Sequence, residues 1–146
     1  EIGLGIPADP LFRSRDDIIE KHPECITYHG KITDLERMQE LYRSNSIMAM
    51  PSKSETFGLV YIEALSQGLK VLWSRGEAID GMFTEHIGEH VIPLNNYDIT
   101  NALDKMMRHP ENYESLSANT FEKFRWSSIA QQYLSIYSQL HTPVNS

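Results

Sequence analysis

The sequence predicts an α/β fold in which a parallel sheet is covered by helices on both faces. Short apolar runs alternate along the chain with segments that show the 3.6-residue periodicity of helices. Such alternation is typical of a parallel sheet whose strands are joined by helices. With 146 residues, the chain has the size of one domain and can bury a core. We predict one domain over residues 1–141, followed by a polar, disordered tail over residues 142–146.

Five short apolar runs predict the strands, at residues 2–6, 26–29, 47–50, 70–73 and 90–93. The third run, Ile-Met-Ala-Met, has turn-forming residues on both sides, as a fully buried strand does. The single cysteine, Cys25, precedes the second run and has no second cysteine to pair with. Because no basic neighbour singles it out as a nucleophile, we expect a buried core thiol.

Six periodic segments predict the helices, at residues 13–21, 34–43, 58–67, 99–108, 112–122 and 127–141. In the second helix, Asp34 has the position and chemistry of an N-cap. The apolar residues that follow it have helical spacing and form one face: Leu35, Met38, Leu41 and Tyr42. The third helix begins near Gly58 and is ended by Gly68.

Residues 51–65 carry most of the functional information, because they contain two glutamates eight positions apart. Glu55 lies in the predicted loop after the third strand, and Glu63 lies inside the following helix. Glu63 is the only charge between Thr56 and Ser66, so we expect it to be largely buried. A buried carboxylate is costly unless it is paired. It therefore forms a structural salt bridge or cap, or it accepts hydrogen bonds from the hydroxyl groups of a ligand.

The start of the same helix suits a phosphate. Its first backbone N–H groups lack partners within the helix, and the helix dipole is positive there. Gly58 has no side chain to keep an anion away from the backbone. In open α/β sheets, ligands bind beyond the carboxyl ends of the strands, which is where Glu55 falls. Two carboxylates for hydroxyl groups and amides for a diphosphate would together form a nucleotide-sugar site.

The pattern Pro-Ser-x-x-Glu-x-Phe-Gly-x-x-x-x-Glu-Ala at residues 51–64, followed by Gly68 and Val71, resembles a known signature. It is similar to that of the retaining GT-B glycosyltransferases of the large family that includes sucrose synthases and bacterial mannosyl- and glucosyltransferases. Residues 26–32, 35–46 and 124–130 also resemble segments of this family, so the similarity extends over most of the chain.

The resemblance implies roles for individual residues. Glu55 would be the catalytic-site carboxylate that contacts hydroxyls of the donor sugar near the reacting carbon, and Glu63 would bind the ribose. Three backbone amides at the helix start would bind the diphosphate, those of Phe57, Gly58 and Leu59.

The resemblance also assigns the nucleotide base to the backbone around Lys31 and Ile32. The sequence departs from the family at two places. Lys70 stands where the family usually has proline, and residues 73–77 lack the usual paired glycines. Both departures affect the predicted acceptor side more than the donor site.

The activity implied is transfer of a sugar from a nucleotide-diphosphate sugar to an acceptor hydroxyl, with retention of configuration at the anomeric carbon. No cofactor or metal is expected, since the chain contains no Asp-x-Asp metal motif. The leaving diphosphate can help to deprotonate the acceptor, so no strong protein base is needed near the reacting carbon. GT-B enzymes have two Rossmann-like halves, and this chain resembles the C-terminal, donor-binding half without its first strand and helix. We therefore expect an N-terminally truncated piece that is inactive alone. A sugar or lipid-linked acceptor would contact the missing N-terminal half.

Two alternatives to transfer remain. The first is a sugar-nucleotide epimerase of the same architecture, which would release nucleotide without an acceptor. The second is a non-catalytic nucleotide-sugar-binding domain. The two glutamates argue against the second alternative, because a domain released from catalysis has no reason to keep a costly charge in an apolar helix.

Charge and hydropathy exclude several classes of partner. Thirteen Lys and Arg against twenty Asp and Glu give a formal net charge of −7, which disfavours nucleic acid and anionic membranes. Neither a membrane-spanning apolar run nor a signal peptide is visible, so we predict a cytoplasmic location. Residues 86–90 match the H-x-x-E-H pattern of zinc peptidases, but Gly88 and the following strand disfavour the helix that such a site needs.

Overall fold

The computed structural model describes residues 25–55 and 57–140. The described residues divide into two compact units, the first ending at Leu116 and the second beginning at Ser117. The strand predicted at residues 2–6, the helix predicted at 13–21 and the predicted tail all lie outside the described residues. Within the described part, no helix is long and apolar enough to cross a membrane.

The first unit is an α/β structure with a parallel sheet, which confirms the predicted fold class. Its elements in chain order are α1 (Leu35–Ser44), β1 (Ile47–Ala49), α2 (Leu59–Ser66), β2 (Lys70–Ser74), β3 (Gly88–Val91), α3 (Asn96–Arg108) and a 3-10 turn (Pro110–Asn112). The described strands form a sheet in the order β1-β2-β3. All neighbours are parallel, with Ile47 opposite Lys70 and Val71 opposite Gly88. Helix α2 is the crossover that parallel neighbours β1 and β2 require.

The sheet has an apolar core on both faces. On one face, α3 packs against the strands through a cluster that contains Ile47, Leu72, Val91, Met106 and Tyr113. Strand residues that alternate with these point to the opposite face, namely Met48, Val71 and Trp73. Helix α2 buries Tyr61, Ile62, Ala64 and Leu65. Each large apolar side chain that is fully buried contributes about 1.5–3 kcal/mol to folding, before the cost in conformational entropy is subtracted. Burial of these side chains therefore stabilises the strands that carry the site.

Capping residues determine where the helices begin. Asp34 Oδ1 accepts a hydrogen bond from the Arg37 N–H at 2.7 Å, so α1 begins as predicted. Helix α3 begins at Asn96, three residues before the predicted start, because Asn95 caps it by accepting from the Asp98 N–H at 3.1 Å. The periodicity of the apolar residues alone does not reveal that first turn.

Strand β3 begins at Gly88, two residues before the predicted start. A Cβ atom at Gly88 would lie 1.8 Å from the Val71 carbonyl oxygen, so only glycine fits against β2 at this position. Glycine is usually a sign of a strand end or turn, and here it marks close approach of two backbones.

The strand predicted at residues 26–29 is wrong. Residues 26–30 have an irregular backbone, and Thr27, Tyr28 and His29 are exposed. Cys25 is also exposed, so the prediction of a buried core thiol is wrong as well. Only Ile26 and Gly30 in this run are partly covered, and too little apolar surface is removed from water to stabilise a strand.

Of the helix predicted at residues 112–122, only Ala118–Phe121 is an α-helix. After the 3-10 turn, Tyr113 takes an extended backbone conformation, and the Glu114 N–H donates to the His86 carbonyl at 2.8 Å. That hydrogen bond uses the Glu114 N–H that a continuing helix would bond within itself.

In the second unit, the described residues form α4 (Ala118–Phe121), a 3-10 turn (Glu122–Phe124) and α5 (Trp126–Leu140). Helix α5 confirms the last predicted helix.

Candidate functional site

The chain leaves the sheet at the carboxyl end of β1. The Met50 N–H still donates to the Leu72 carbonyl at 3.1 Å, and the Met50 carbonyl accepts the hydroxyl of Tyr61. The loop that follows carries Glu55, which is partly buried. Burial raises the pKa of Tyr61, and the negative charge of Glu55 raises it further. Glu55 therefore lies where it was predicted, at the edge of the sheet and close to the first turn of α2.

Gly58 gives the start of α2 its shape. It is buried and has φ +68° and ψ 43°, in the left-handed region that favours glycine. A Cβ atom there would lie 2.7 Å from the Tyr61 ring and 2.8 Å from Cβ of Ala78. As N-cap, Gly58 supplies no side-chain acceptor to the helix. Phe57 and Leu59, on either side of this buried glycine, are 48% and 57% exposed, so their side chains face solvent.

Glu63 is exposed, and the prediction that it is buried is wrong. Helix α2 is not covered on all sides, because Leu59, Glu63 and Ser66 have helical spacing and form an exposed stripe. The Tyr42 hydroxyl of α1 donates to Glu63 Oε2 at 3.4 Å. Burial raises the pKa of Tyr42 to about 12, with smaller contributions from the charge of Glu63 and this hydrogen bond.

A groove of about 180 Å³ runs between α1 and α2. Its lining residues are Leu35, Met38, Gln39, Tyr42, Glu63, Ser66 and Gln67. A bond of 2.8 Å from Arg43 Nε to Gln67 Oε1 also joins the two helices. Pockets for whole small molecules usually measure about 300–1,000 Å³, so the groove suits one part of a larger ligand. It combines an apolar wall on α1 with a carboxylate on α2.

Lys31 and Ile32 lie in the irregular segment before α1. Lys31 is exposed and Ile32 is partly buried. The first residue of α1, Leu35, lines the groove together with Glu63. The predicted base-binding segment is therefore connected by a few residues to the groove that contains the predicted ribose-binding carboxylate.

A tight turn after β2 supports the loop that carries Glu55. Glu77 Oε2 accepts a hydrogen bond from the Glu55 N–H at 2.9 Å. Asp80 accepts from the Gly76 N–H at 2.6 Å and from Trp73 Nε1 at 3.1 Å. The Gly76 amide lowers the pKa of Asp80 against the opposing effect of burial, and Trp73 and His90 add to the lowering. Sequence reasoning missed Glu77, although the absence of paired glycines marked this turn as unusual.

In the H-x-x-E-H motif, His86 Nε2 lies 3.6 Å from Glu89 Oε1, but His90 lies apart from both. Glu89 faces α3, where its Oε1 accepts from Lys105 Nζ at 2.6 Å and from the Tyr113 hydroxyl at 2.9 Å. His90 follows it on the strand and points to the opposite face, with Nδ1 3.7 Å from Asp80 Oδ1. Among the residues described, no group of three or more His, Cys, Asp or Glu side chains is arranged to hold a metal ion.

Comparison with known proteins gives one family. The model of the family described as glycosyl transferases group 1 matches residues 19–123. The chain is 32% identical over 111 residues to D-inositol 3-phosphate glycosyltransferase from Gordonia bronchialis, covering 70% of this chain and 23% of that protein. It is 24% identical over 123 residues to phosphatidyl-myo-inositol mannosyltransferase from Mycobacterium leprae, covering 82% of this chain and 33% of that protein.

A solved structure agrees with these relatives. The chain superposes on sucrose-phosphate synthase from Thermosynechococcus elongatus with a TM-score of 0.71 and 28% identity. The match covers 88% of this chain and 34% of that structure. The chain thus spans about a quarter to a third of the length of these proteins. By its family match, its relatives and its fold, the chain belongs to the group 1 glycosyltransferases.

Proposed function

We propose that the whole protein transfers a sugar from a nucleotide-diphosphate sugar to an acceptor hydroxyl with retention of anomeric configuration, and that this chain binds the donor. One observation carries the proposal. Glu63 lines a groove beside a helix whose glycine-capped start lies at the carboxyl end of a parallel strand. That is the edge at which α/β sheets bind ligands. The names of the relatives support transfer of a glycosyl group.

The diphosphate is assigned to the start of α2. Backbone amides at a helix start point along the axis and carry a partial positive charge, together equivalent to about half an elementary charge. Leu59 is the first residue of α2 and Gly58 is its N-cap. We assign the diphosphate to their two amides and to that of Phe57, the residue before the cap. Gly58 lets Tyr61 and Ala78 pack against the backbone at this point, and the neighbouring Phe57 and Leu59 side chains are exposed rather than packed over the helix end.

The ribose is assigned to Glu63. A carboxylate accepts hydrogen bonds from two neighbouring hydroxyl groups, as a ribose diol presents them. The Tyr42 hydroxyl orients the carboxylate from the other side of the groove. The apolar wall formed by Leu35 and Met38 suits the carbon skeleton of a nucleoside. The base then extends toward the backbone at Lys31 and Ile32.

The donor sugar is assigned to Glu55. This glutamate lies in the loop before α2, so a sugar attached to a diphosphate at the helix start comes close to it. Its negative charge would favour the positive charge that develops at the anomeric carbon as the bond to the diphosphate breaks. The leaving diphosphate would accept the acceptor proton, so the role of Glu55 is to orient and stabilise rather than to attack.

Donor binding by variants of the whole protein tests this assignment. UDP-, GDP- and ADP-sugars are titrated first, and the donor that binds the wild type is then used for the variants. Glu63→Ala should weaken binding of that donor by about tenfold or more, since a charged hydrogen-bond partner contributes roughly 1.5–3 kcal/mol. Glu36→Ala, an exposed glutamate of α1, is the matched control and should bind like the wild type.

Unchanged donor affinity in Glu63→Ala would contradict the ribose assignment. Stoichiometric release of nucleotide diphosphate without any acceptor, at the rate seen with acceptor, would contradict transfer and favour an epimerase.

A further inference from the structure

Glu55 is connected to the turn after β2 by a hydrogen bond that its family resemblance does not predict. Its backbone N–H donates to Glu77 Oε2 at 2.9 Å, across 22 positions of sequence. Bonds from an amide to a carboxylate are stronger than those to a neutral oxygen. Glu77 is itself partly buried, so this bond is partly shielded from water.

The turn that carries Glu77 is held by bonds of its own. The Glu77 N–H donates to the Ser74 carbonyl at 3.2 Å, and the Asp80 N–H donates to the Glu77 carbonyl at 3.0 Å. The Asp80 carboxylate binds the Gly76 amide and the indole of Trp73. Trp73 and Ser74 belong to β2. The hydrogen bonds to these two residues therefore fix the position of Glu77 relative to the sheet.

The same turn also contacts the start of α2. Ala78, next to Glu77, lies where a Cβ atom on Gly58 would come within 2.8 Å of its own Cβ atom. Ala78 has φ +50°, in the left-handed region that is uncommon for a residue with a side chain. The turn therefore contacts Glu55 through a hydrogen bond and Gly58 through close packing.

We propose that Glu77 is a positioning residue that holds the Glu55 loop against β2 in the geometry required for sugar transfer. The inference rests on the proposed function, because it concerns the carboxylate assigned to the donor sugar. Glu77 itself contacts the Glu55 backbone and needs only to accept a hydrogen bond there. Its effect should appear in the rate of transfer and not in the affinity for the nucleotide, which is assigned to α2 and the groove.

Three variants of the whole protein test the role. Glu77→Ala removes the acceptor, Glu77→Gln keeps an oxygen that can accept the bond, and Glu85→Ala changes another glutamate of the β2–β3 connection. Loss of one such bond should lower kcat for Glu77→Ala by about tenfold while the donor Kd stays within about twofold. Exchange of the Glu55 amide proton should accelerate by a similar factor. Glu77→Gln and Glu85→Ala should remain within about threefold of the wild type in kcat and in the exchange rate of the Glu55 amide.

Wild-type kcat and wild-type exchange at Glu55 in Glu77→Ala would overturn the positioning role. A loss of kcat in Glu77→Gln equal to that in Glu77→Ala, with wild-type exchange of the Glu55 amide in Glu77→Gln, would overturn it too, because the bond would then be intact and the rate still lost. If Glu77→Ala does not fold, Glu77→Asp replaces it, since the shorter side chain should lose the bond and show the same fall in kcat. If the wild type transfers a sugar from none of the three donor classes, the result contradicts the proposed function and, with it, the positioning role of Glu77. Transfer by the wild type with an unchanged Ala variant removes the positioning role alone.

Discussion

Tyr42 and Glu63 meet across the groove between α1 and α2, with 3.4 Å between the hydroxyl oxygen and Oε2. The bond joins α1 to Glu63, the carboxylate assigned to the ribose. Helix α1 directly follows the segment that is predicted to bind the base. It is long for a hydrogen bond from a hydroxyl group, so its own contribution is small. Its importance lies in the orientation of Glu63, which is otherwise an exposed side chain with several rotamers.

We expect Tyr42→Phe to raise the donor Kd by about threefold, the effect of losing a net contribution of roughly 0.5–1 kcal/mol. The ring remains and the groove keeps its shape, so only the hydroxyl is removed. The Kd is measured by calorimetry on the whole protein. Tyr97→Phe is the control, because Tyr97 is 79% exposed on α3. An effect of equal size in both variants would show that the Tyr42 hydroxyl has no specific role.

We expect Glu55→Ala to lower kcat by about a hundredfold or more, the usual effect of losing one group that stabilises charge in a transition state. Nucleotide affinity should stay within about threefold, because the diphosphate and ribose are assigned to other residues. Steady-state rates and UDP, GDP or ADP titrations measure the two quantities separately. A variant that transfers at the wild-type rate would remove Glu55 from the mechanism.

Gly58→Ala should destabilise the protein more than Gly68→Ala. Both residues have positive φ, so alanine costs about 1–2 kcal/mol at each. Only Gly58 is also crowded, by Tyr61 and Ala78, and overpacking adds about 1–3 kcal/mol there. At Gly68, nothing lies within 4 Å of the added Cβ atom. Urea unfolding of both variants gives the two costs, and equal values would contradict the close packing at the start of α2.

Stability should fall at alkaline pH. Burial raises the pKa of Tyr42 to about 12 and also raises those of Tyr61 and Tyr113 above the ordinary value of 10.0. The folded state therefore holds these protons more tightly than the unfolded state does, and the stabilisation is complete below pH 10. It is lost as the pH rises from 10 toward 12.

Urea unfolding at pH 9 and pH 11 measures this loss, and Tyr113→Phe should reduce the difference between the two. The hydroxyl of Tyr113 donates to Glu89, so the neutral form is the one that the folded state favours. Tyr97→Phe should leave the difference unchanged. Equal stability at both pH values in the wild type would contradict the burial of these hydroxyl groups.

Much of the fold was predictable from local patterns. Asp34 and the apolar residues after it identify α1, and the short apolar runs identify β1 and β2 within one residue of their observed ends. The predictions that depended on distant contacts were less accurate. The composition of residues 26–29 predicts a strand, yet most of their side chains are exposed.

The environment of the two glutamates illustrates the same limit. An apolar helix predicted a buried Glu63, but burial depends on which side of α2 the sheet covers, and Glu63 lies on the side with Leu59 and Ser66. The bond between Glu55 and Glu77 joins two loops whose approach depends on the packing of β1 against β2. The spacing of residues within either loop gives no information about the distance between the Glu55 amide and the Glu77 carboxylate.

Donor binding at the start of α2 is the central claim, and an amide-resolved NMR titration with UDP, GDP and ADP tests it most directly. One nucleotide should shift the amides of residues 57–63 and those of residues 30–32, and the same signals should move less in Glu63→Ala. A well-folded protein in which saturating nucleotide shifts amides elsewhere, or none at these two segments, would contradict the assignment of the donor site.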